Sequence, residues 1–128
     1  MLGGDSVLDF EGRLISKCRD VDELRALLGR LAGKSHVLIS AACLARDGVP
    51  LWRHVGQARL TMRAFSAAFL EAYLAQEGAA VLSCVGGYRY EGPGAQLFET
   101  VDGDYFTVLG LPLLPVLAAL RAEGILLP

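Results

Sequence analysis

A mixed α/β or α+β domain is predicted by three features of the chain. Residues 35–46 and 51–62 are two long runs, one apolar and one alternating, separated by the turn Asp47-Gly48-Val49-Pro50. That is the pattern of an antiparallel strand pair. Three other segments repeat apolar residues at helical spacing between capping and stop signals. The 128 residues amount to one domain, residues 1–128, and a chain near this size buries about two-thirds of its unfolded surface.

The elements follow in order. Residues 6–10 and 13–16 read as short strands joined at Glu11-Gly12. Asp20 is an N-cap with Glu23 three residues on, as in a capping box. Val21, Leu24, Leu27, Leu28 and Leu31 then form one apolar helical face, and Gly33 is the stop. The run 35–46 reads as a largely buried strand. In the returning strand, Val55, Ala58, Leu60 and Met62 alternate with Gln57, Arg59, Thr61 and Arg63, which predicts a sheet with one solvated face. Ser66 caps a second helix with Phe69, Leu70, Tyr73 and Leu74 as its buried stripe, ended by Gly78. Residues 96–101 and 105–108 flank Asp102-Gly103, a hairpin signal. The last helix starts near Pro112, where a missing N–H is harmless. Leu113, Val116, Leu117 and Leu120 form its core face, and Gly124 stops it.

Composition removes several classes of function. A net charge of -2 offers no electrostatic footprint for nucleic acid. The apolar fraction is high, 53%, yet the most apolar stretch, residues 108–120, is broken by Gly110, Pro112 and Pro115 and falls short of the ~20 residues a spanning helix needs. No membrane role is expected; the surplus apolar residues mark surface that a partner or further chain covers, and a homodimer would do so. Met1 to Asp5 lacks the basic and apolar stretches of a secretory leader. The three cysteines, Cys18, Cys43 and Cys84, are scattered, with no CxxC. This fits a reducing cytoplasm rather than a disulfide framework.

Residues 88–95, Tyr-Arg-Tyr-Glu-Gly-Pro-Gly-Ala, put the carboxylate of Glu91 beside a glycine-rich bend. Gly92 and Gly94 permit close backbone approach to a ligand, or simply a tight turn. Asp5, at a strand start after two glycines, can hold a divalent metal, take a proton from water, or be an ordinary turn residue. Lys17, at a strand end, is a point charge for phosphate or a solvated lysine. Trp52, Tyr88 and Tyr90 can stack a base or pack a core. His36 reads as a hydrogen-bonded structural histidine and His54 as a solvated one. No zinc constellation, GxxxxGK[ST], GxGxxG or GxSxG is present. Residue types alone therefore end at an anionic-ligand cleft built from Asp5, Lys17 and Glu91.

At these residues the chain resembles the Maf family, the septum-formation-inhibitor-like nucleotide pyrophosphatases. The similarity runs through six collinear pieces. Gly3-Gly4-Asp5-Ser6-Val7 is similar to the family's Gly-Ala-Asp-Thr-Val, and Ile15-Ser16-Lys17 to its Leu-Gly-Lys-Pro, with Cys18 in place of the proline. Residues 31–36 resemble Leu-Ser-Gly-Arg-Thr-His, and residues 63–73 an Arg-x-x-Ser…Tyr segment. Residues 87–94 and 101–112 resemble the closing Gly-x-Tyr-x-x-(Gln/Glu)-Gly-x-Gly and Gly-Asp-Tyr…Gly-Leu-Pro motifs.

The resemblance implies a Maf-like fold, a mostly antiparallel or mixed twisted sheet with flanking helices, and hydrolysis of nucleoside triphosphates to monophosphate and pyrophosphate. Asp5 would be the general base or a ligand of a divalent metal, Mg²⁺ in the first instance. Lys17 would contact the triphosphate. Ser6 and Glu91 would lie where the base is read. Glu91 in place of glutamine is similar to the branch acting on 7-methyl-GTP. The family's N-terminal strand and Ser-x-Ser-Pro-Arg-Arg phosphate loop are not in this sequence. The expectation is a truncated form of the fold with weak or no turnover. The alternative is a catalytically inactive nucleotide-binding or oligomerisation module.

Overall fold

The computed structural model describes residues Met1–Pro128. Strands β1 (Leu2–Phe10), β2 (Arg13–Ile15), β3 (Ser35–Arg46), β4 (Val49–Met62) and β5 (Phe98–Gly103) form one sheet in the order β2-β1-β3-β4-β5. Every neighbouring pair is antiparallel. The helices are α1 (Val21–Leu31), α2 (Ala67–Glu77), α3 (Tyr105–Leu109) and α4 (Leu113–Ala122), and 3₁₀ turns at Gly78–Val81, Val85–Gly87 and Pro93–Leu97 connect α2 to β5. No helix is long and apolar enough to cross a membrane.

Local chemistry explains the punctuation. Both tight hairpins carry two consecutive left-handed residues, Glu11-Gly12 (φ 53° and 80°) and Asp47-Gly48 (φ 51° and 78°). This is the twist-matched type I′ geometry, which tolerates an acidic residue before glycine. Asp20 Oδ1 accepts the Glu23 N–H at 2.8 Å, and Ser66 Oγ accepts the Phe69 N–H at 3.1 Å. The Glu23 carboxylate accepts from the Arg19 N–H at 2.9 Å, one residue ahead of the donor that a standard capping box uses.

The helices all pack on one face of the sheet. The even-numbered residues of β1, β3 and β4 point to that inner face, because side chains alternate along a strand. There Leu8, Leu38, Ala58, Leu60 and Met62 meet Leu24, Leu27, Leu28 and Leu31 of α1 and Leu70, Tyr73 and Leu74 of α2 in one buried cluster. Each such leucine contributes roughly 1.5–3 kcal/mol by leaving water. The outer face has no covering layer: Val7, Val37 and Ile39 are half-buried, and Val55 is 59% exposed. Grouping Val55 with Ala58, Leu60 and Met62 is corrected here, since an odd position on this strand must face the other way.

A second correction concerns Asp102-Gly103. No hairpin forms there: β5 pairs with β4, and residues 105–109 are helical. Asp104 Oδ2 accepts both the Thr107 N–H (2.9 Å) and the Thr107 hydroxyl (3.0 Å), which caps α3. Gly103 serves cross-strand contact instead, since a Cβ there would sit 2.6 Å from that of Ala58. In α4 the fully buried positions are Val116 and Ala119, with Leu113, Leu117 and Leu120 only partly covered. The stripe is shifted because this short helix rests on β4 through Pro112, which lies against Gly56.

Candidate active site

Asp5 and Ser6 lie within β1, and Asp5 is paired with Ala41 of β3. This corrects the expectation of Asp5 at a strand start. β2 pairs with β1 only over Leu8–Phe10, so residues 2–7 have a neighbour on one side alone. The Ser6 N–H on this strand donates to Asp5 Oδ1 at 2.8 Å. The bond leaves the second oxygen of Asp5 for other partners.

Ser6 is tied inward. Its hydroxyl donates to the Gly110 carbonyl at 3.1 Å and lies 2.8 Å from Ser40 Oγ, which donates to the Thr107 carbonyl at 2.9 Å. Two hydroxyl protons serve three short contacts, so the pair locks the C-terminal end of α3 onto β1 and β3. Gly110 accepts this with φ 114°, a conformation that favours glycine. The Ser6 hydroxyl is thus engaged in building the wall of the cleft.

Facing β1 is the bend at residues 88–94. Two left-handed glycines form its base. Gly86 and Gly87 have φ 81° and 70°, and a Cβ on Gly87 would fall 2.0 Å from a Leu24 methyl. The Gly87 carbonyl accepts from the buried Tyr73 hydroxyl at 2.8 Å. Tyr88 is buried against Phe98 (ring centroids 4.8 Å apart, 76° between planes), and its hydroxyl lies 2.7 Å from His36 Nε2. Tyr88 therefore packs the core and cannot stack a base. Burial lowers the pKa of His36 to about 4, so the imidazole is neutral at pH 7. This is the structural histidine expected from the sequence. Trp52 stacks on His54 (5° between planes, 6.0 Å), and neither lines the cleft. Of the three aromatic candidates Tyr88 and Tyr90 both border the cleft; Tyr88 does so with a ring fixed in the core, and the ring of Tyr90 lies near Phe98 and Tyr105.

Between the two walls lies a cleft of about 300 Å³ lined by Asp5, Ser6, Lys17, Arg89, Tyr90 and Glu91 among others. All four candidate residues, drawn from three separate stretches, border it; Asp5, at an odd position of β1, also borders the outer face beside Ala41 and Cys43. Lys17 is exposed and makes no ion pair, whereas Arg89 donates to Glu77 Oε2 at 2.6 Å. The cleft thus mixes two carboxylates and two cations, which suits a ligand with anionic and hydrogen-bond-donating ends. No group of three or more histidine, cysteine or acidic side chains is gathered for a metal. Asp5 offers one carboxylate, the donor set that suits Mg²⁺ when substrate phosphates and waters complete its shell.

The sequence reading passed over Glu77. It continues the buried stripe of α2 at the next helical step after Leu70, Tyr73 and Leu74, and is 4% exposed. The i, i+3, i+4, i+7 spacing was the available signal. A carboxylate on an apolar stripe demands a partner.

The Maf-like protein family model matches residues 1–123. The chain belongs to the Maf-like family. The Maf-like chain is 50% identical over 123 residues to the 7-methyl-GTP pyrophosphatase of Brucella abortus biovar 1 (strain 9-941), covering 96% of this chain and 62% of the relative. It is 47% identical over 126 residues to the nucleoside triphosphate pyrophosphatase of Ruegeria pomeroyi, covering 98% and 63%, respectively. It is 49% identical over 124 residues to the 7-methyl-GTP pyrophosphatase of Mesorhizobium japonicum, covering 97% and 62%. The Maf-like chain therefore spans a little under two-thirds of the length of these relatives.

Proposed function

We propose that this chain carries the substrate cleft of a nucleoside triphosphate pyrophosphatase. The observation that carries the reading is the convergence of Asp5, Lys17 and Glu91 on one cleft. The relatives' printed activities point the same way. In this reading water attacks the α-phosphorus, a P–O bond forms, the bond to the α–β bridging oxygen breaks, and pyrophosphate leaves with the electron pair. Asp5 takes the proton of the attacking water or serves as a ligand for the metal. Lys17 places a positive charge against the triphosphate. Pyrophosphatases of this family are in general divalent-metal dependent, and a bound Mg²⁺ held through Asp5 would neutralise charge developing on the phosphoryl oxygens.

Glu91 is the selector of the base. A carboxylate only accepts hydrogen bonds, so it suits the N1–H and N2–H donors of guanine. Methylation at N7 adds a positive charge that a nearby carboxylate favours. Uracil and thymine present one N–H between two carbonyls, a poorer match. The reading is therefore a preference for 7-methyl-GTP.

Pyrophosphate release from 7-methyl-GTP, UTP, dTTP and CTP, with and without Mg²⁺, tests this. Release should depend on Mg²⁺ and disappear in Asp5→Ala, a loss of about 100-fold or more, while nucleotide binding survives. A preference of about tenfold or more for UTP over 7-methyl-GTP would sink the argument from Glu91. A second reading, an inactive nucleotide-binding or oligomerising module, draws on the uncovered outer face around Val7, Ile39 and Val55. A homodimer is the partner that face suits. That reading requires binding without release: nucleotide at a hundred times its Kd would add about 2.7 kcal/mol of stability, with no pyrophosphate formed.

A further inference from the structure

Arg89 is the hub of the bend that presents Glu91. Its carbonyl accepts the Gly92 N–H at 3.1 Å, and Gly94 packs so closely on it that a Cβ would lie 2.5 Å from that carbonyl oxygen. Arg89 lines the same cleft as Glu91. Left alone, a guanidinium two residues from an exposed carboxylate in one tight bend would pair with it, since Arg and carboxylate match as a planar fork. The two do not pair. Arg89 Nη2 is bonded instead to the buried Glu77 carboxylate at 2.6 Å. The guanidinium is raised above its ordinary pKa first by the Glu77 hydrogen bond and charge, and Glu91 adds to the same shift. Glu91 is therefore within electrostatic reach of Arg89 while making no bond to it.

We propose that Glu77 is a positioning residue for base selection: by holding the Arg89 guanidinium at the end of α2, it keeps Arg89 off Glu91 and leaves the Glu91 carboxylate free to accept from the base. The proposal rests on the reading of Glu91 as the selector. Burial makes the arrangement one-sided. A carboxylate that is 4% exposed loses heavily if its only charged partner leaves, whereas Glu91, in water, gains little from a surface pair. Arg89 is thereby committed to Glu77. Removing the charge at position 77 reverses the balance.

Glu77→Gln keeps the shape and removes the charge. The ratio of 7-methyl-GTP to UTP affinity, measured by calorimetry in EDTA so that no turnover occurs, should fall about tenfold. The double variant Glu77→Gln/Arg89→Gln removes the competing cation as well and should return the ratio to within about twofold of the unmodified protein. A purely structural Glu77 would instead weaken both nucleotides together, and the double variant would recover nothing; either result overturns the proposal. Should Glu77→Gln fail to melt cooperatively, the double variant decides alone, with a preserved ratio in favour and a collapsed one against. If the unmodified protein shows no preference for 7-methyl-GTP, the reading of Glu91 falls. A crystal structure of Glu77→Gln then decides the remainder: Arg89 bonded to Glu91 supports the proposal, and Arg89 still bonded to residue 77 overturns it.

Discussion

The β1 wall of the cleft and the wall formed by residues 88–94 face the same space but are held by different forces. β1 is fixed by its ladder with β3, eight register pairs from Leu2 to Asp9. Its position depends on main-chain bonds that any side chain leaves intact. The bend belongs to no strand or long helix. It is held by side chains reaching from elsewhere (Tyr73, Glu77, His36) and by glycines where the backbone passes too close for a Cβ. Asp5, set on a ladder, is held by backbone that its neighbours' side chains hardly affect. Glu91, set on a packed bend, depends for its position on side chains from elsewhere in the chain.

Matched substitutions sharpen this contrast. Gly94→Ala should be the most damaging, costing about 3 kcal/mol, because the new methyl meets Arg89 backbone at 2.5 to 3.0 Å and no flexible side chain can yield. Chemical denaturation measures this loss, and a cost below about 0.5 kcal/mol would show that the bend is softer than its contacts imply.

The burial of His36 predicts a pH dependence of similar size. The folded pKa of His36 is lowered to about 4, below the unfolded value near 6.5. The neutral folded form is fully favoured above about pH 6.5, and its advantage is lost progressively as pH falls toward 4. The loss approaches about 3 kcal/mol. Stability followed across that window should show the decline, and His36→Phe should flatten it. An unchanged slope in that variant would place the titrating group elsewhere.

Tyr73→Phe should cost about 1–2 kcal/mol, because the Gly87 carbonyl loses its buried donor. Gly3→Ala on the β1 wall should be the mildest. Nothing lies within 4 Å of its new methyl, so the change should stay within about 0.5 kcal/mol. If Gly3→Ala were as harmful as Gly94→Ala, the distinction between ladder-held and side-chain-held walls would fall.

Much of the fold was legible because its signals are local. Asp20 and Ser66 cap their helices as their side chains dictate. The boundaries of β3 match the apolar run from Ser35 to Arg46, and Asp47-Gly48 turns the chain as residue type predicts. The failures are also physical. Asp102-Gly103 carries a hairpin signal, but Asp104 competes for the following Thr107 N–H and wins a helix cap. Val55 matched the apolar pattern in composition but not in period. Ser6 has the right neighbours in sequence, yet its hydroxyl is drawn inward by Ser40 and Gly110, residues far from it along the chain.

The sequence by itself determined most of the elements, with their caps and turns, though not α3, and the identity of Asp5, Lys17 and Glu91 as the residues to watch. Capping, turn chemistry and side-chain periodicity act over a few residues, so they can be read from a string. Only the tertiary structure decided that these three share a cleft, that Tyr88 supports the bend rather than a base, and that Arg89 is committed to Glu77 rather than to Glu91. Those outcomes depend on which charges and hydroxyls burial brings together across the chain. Desolvation makes the buried partner win over the nearer but exposed one.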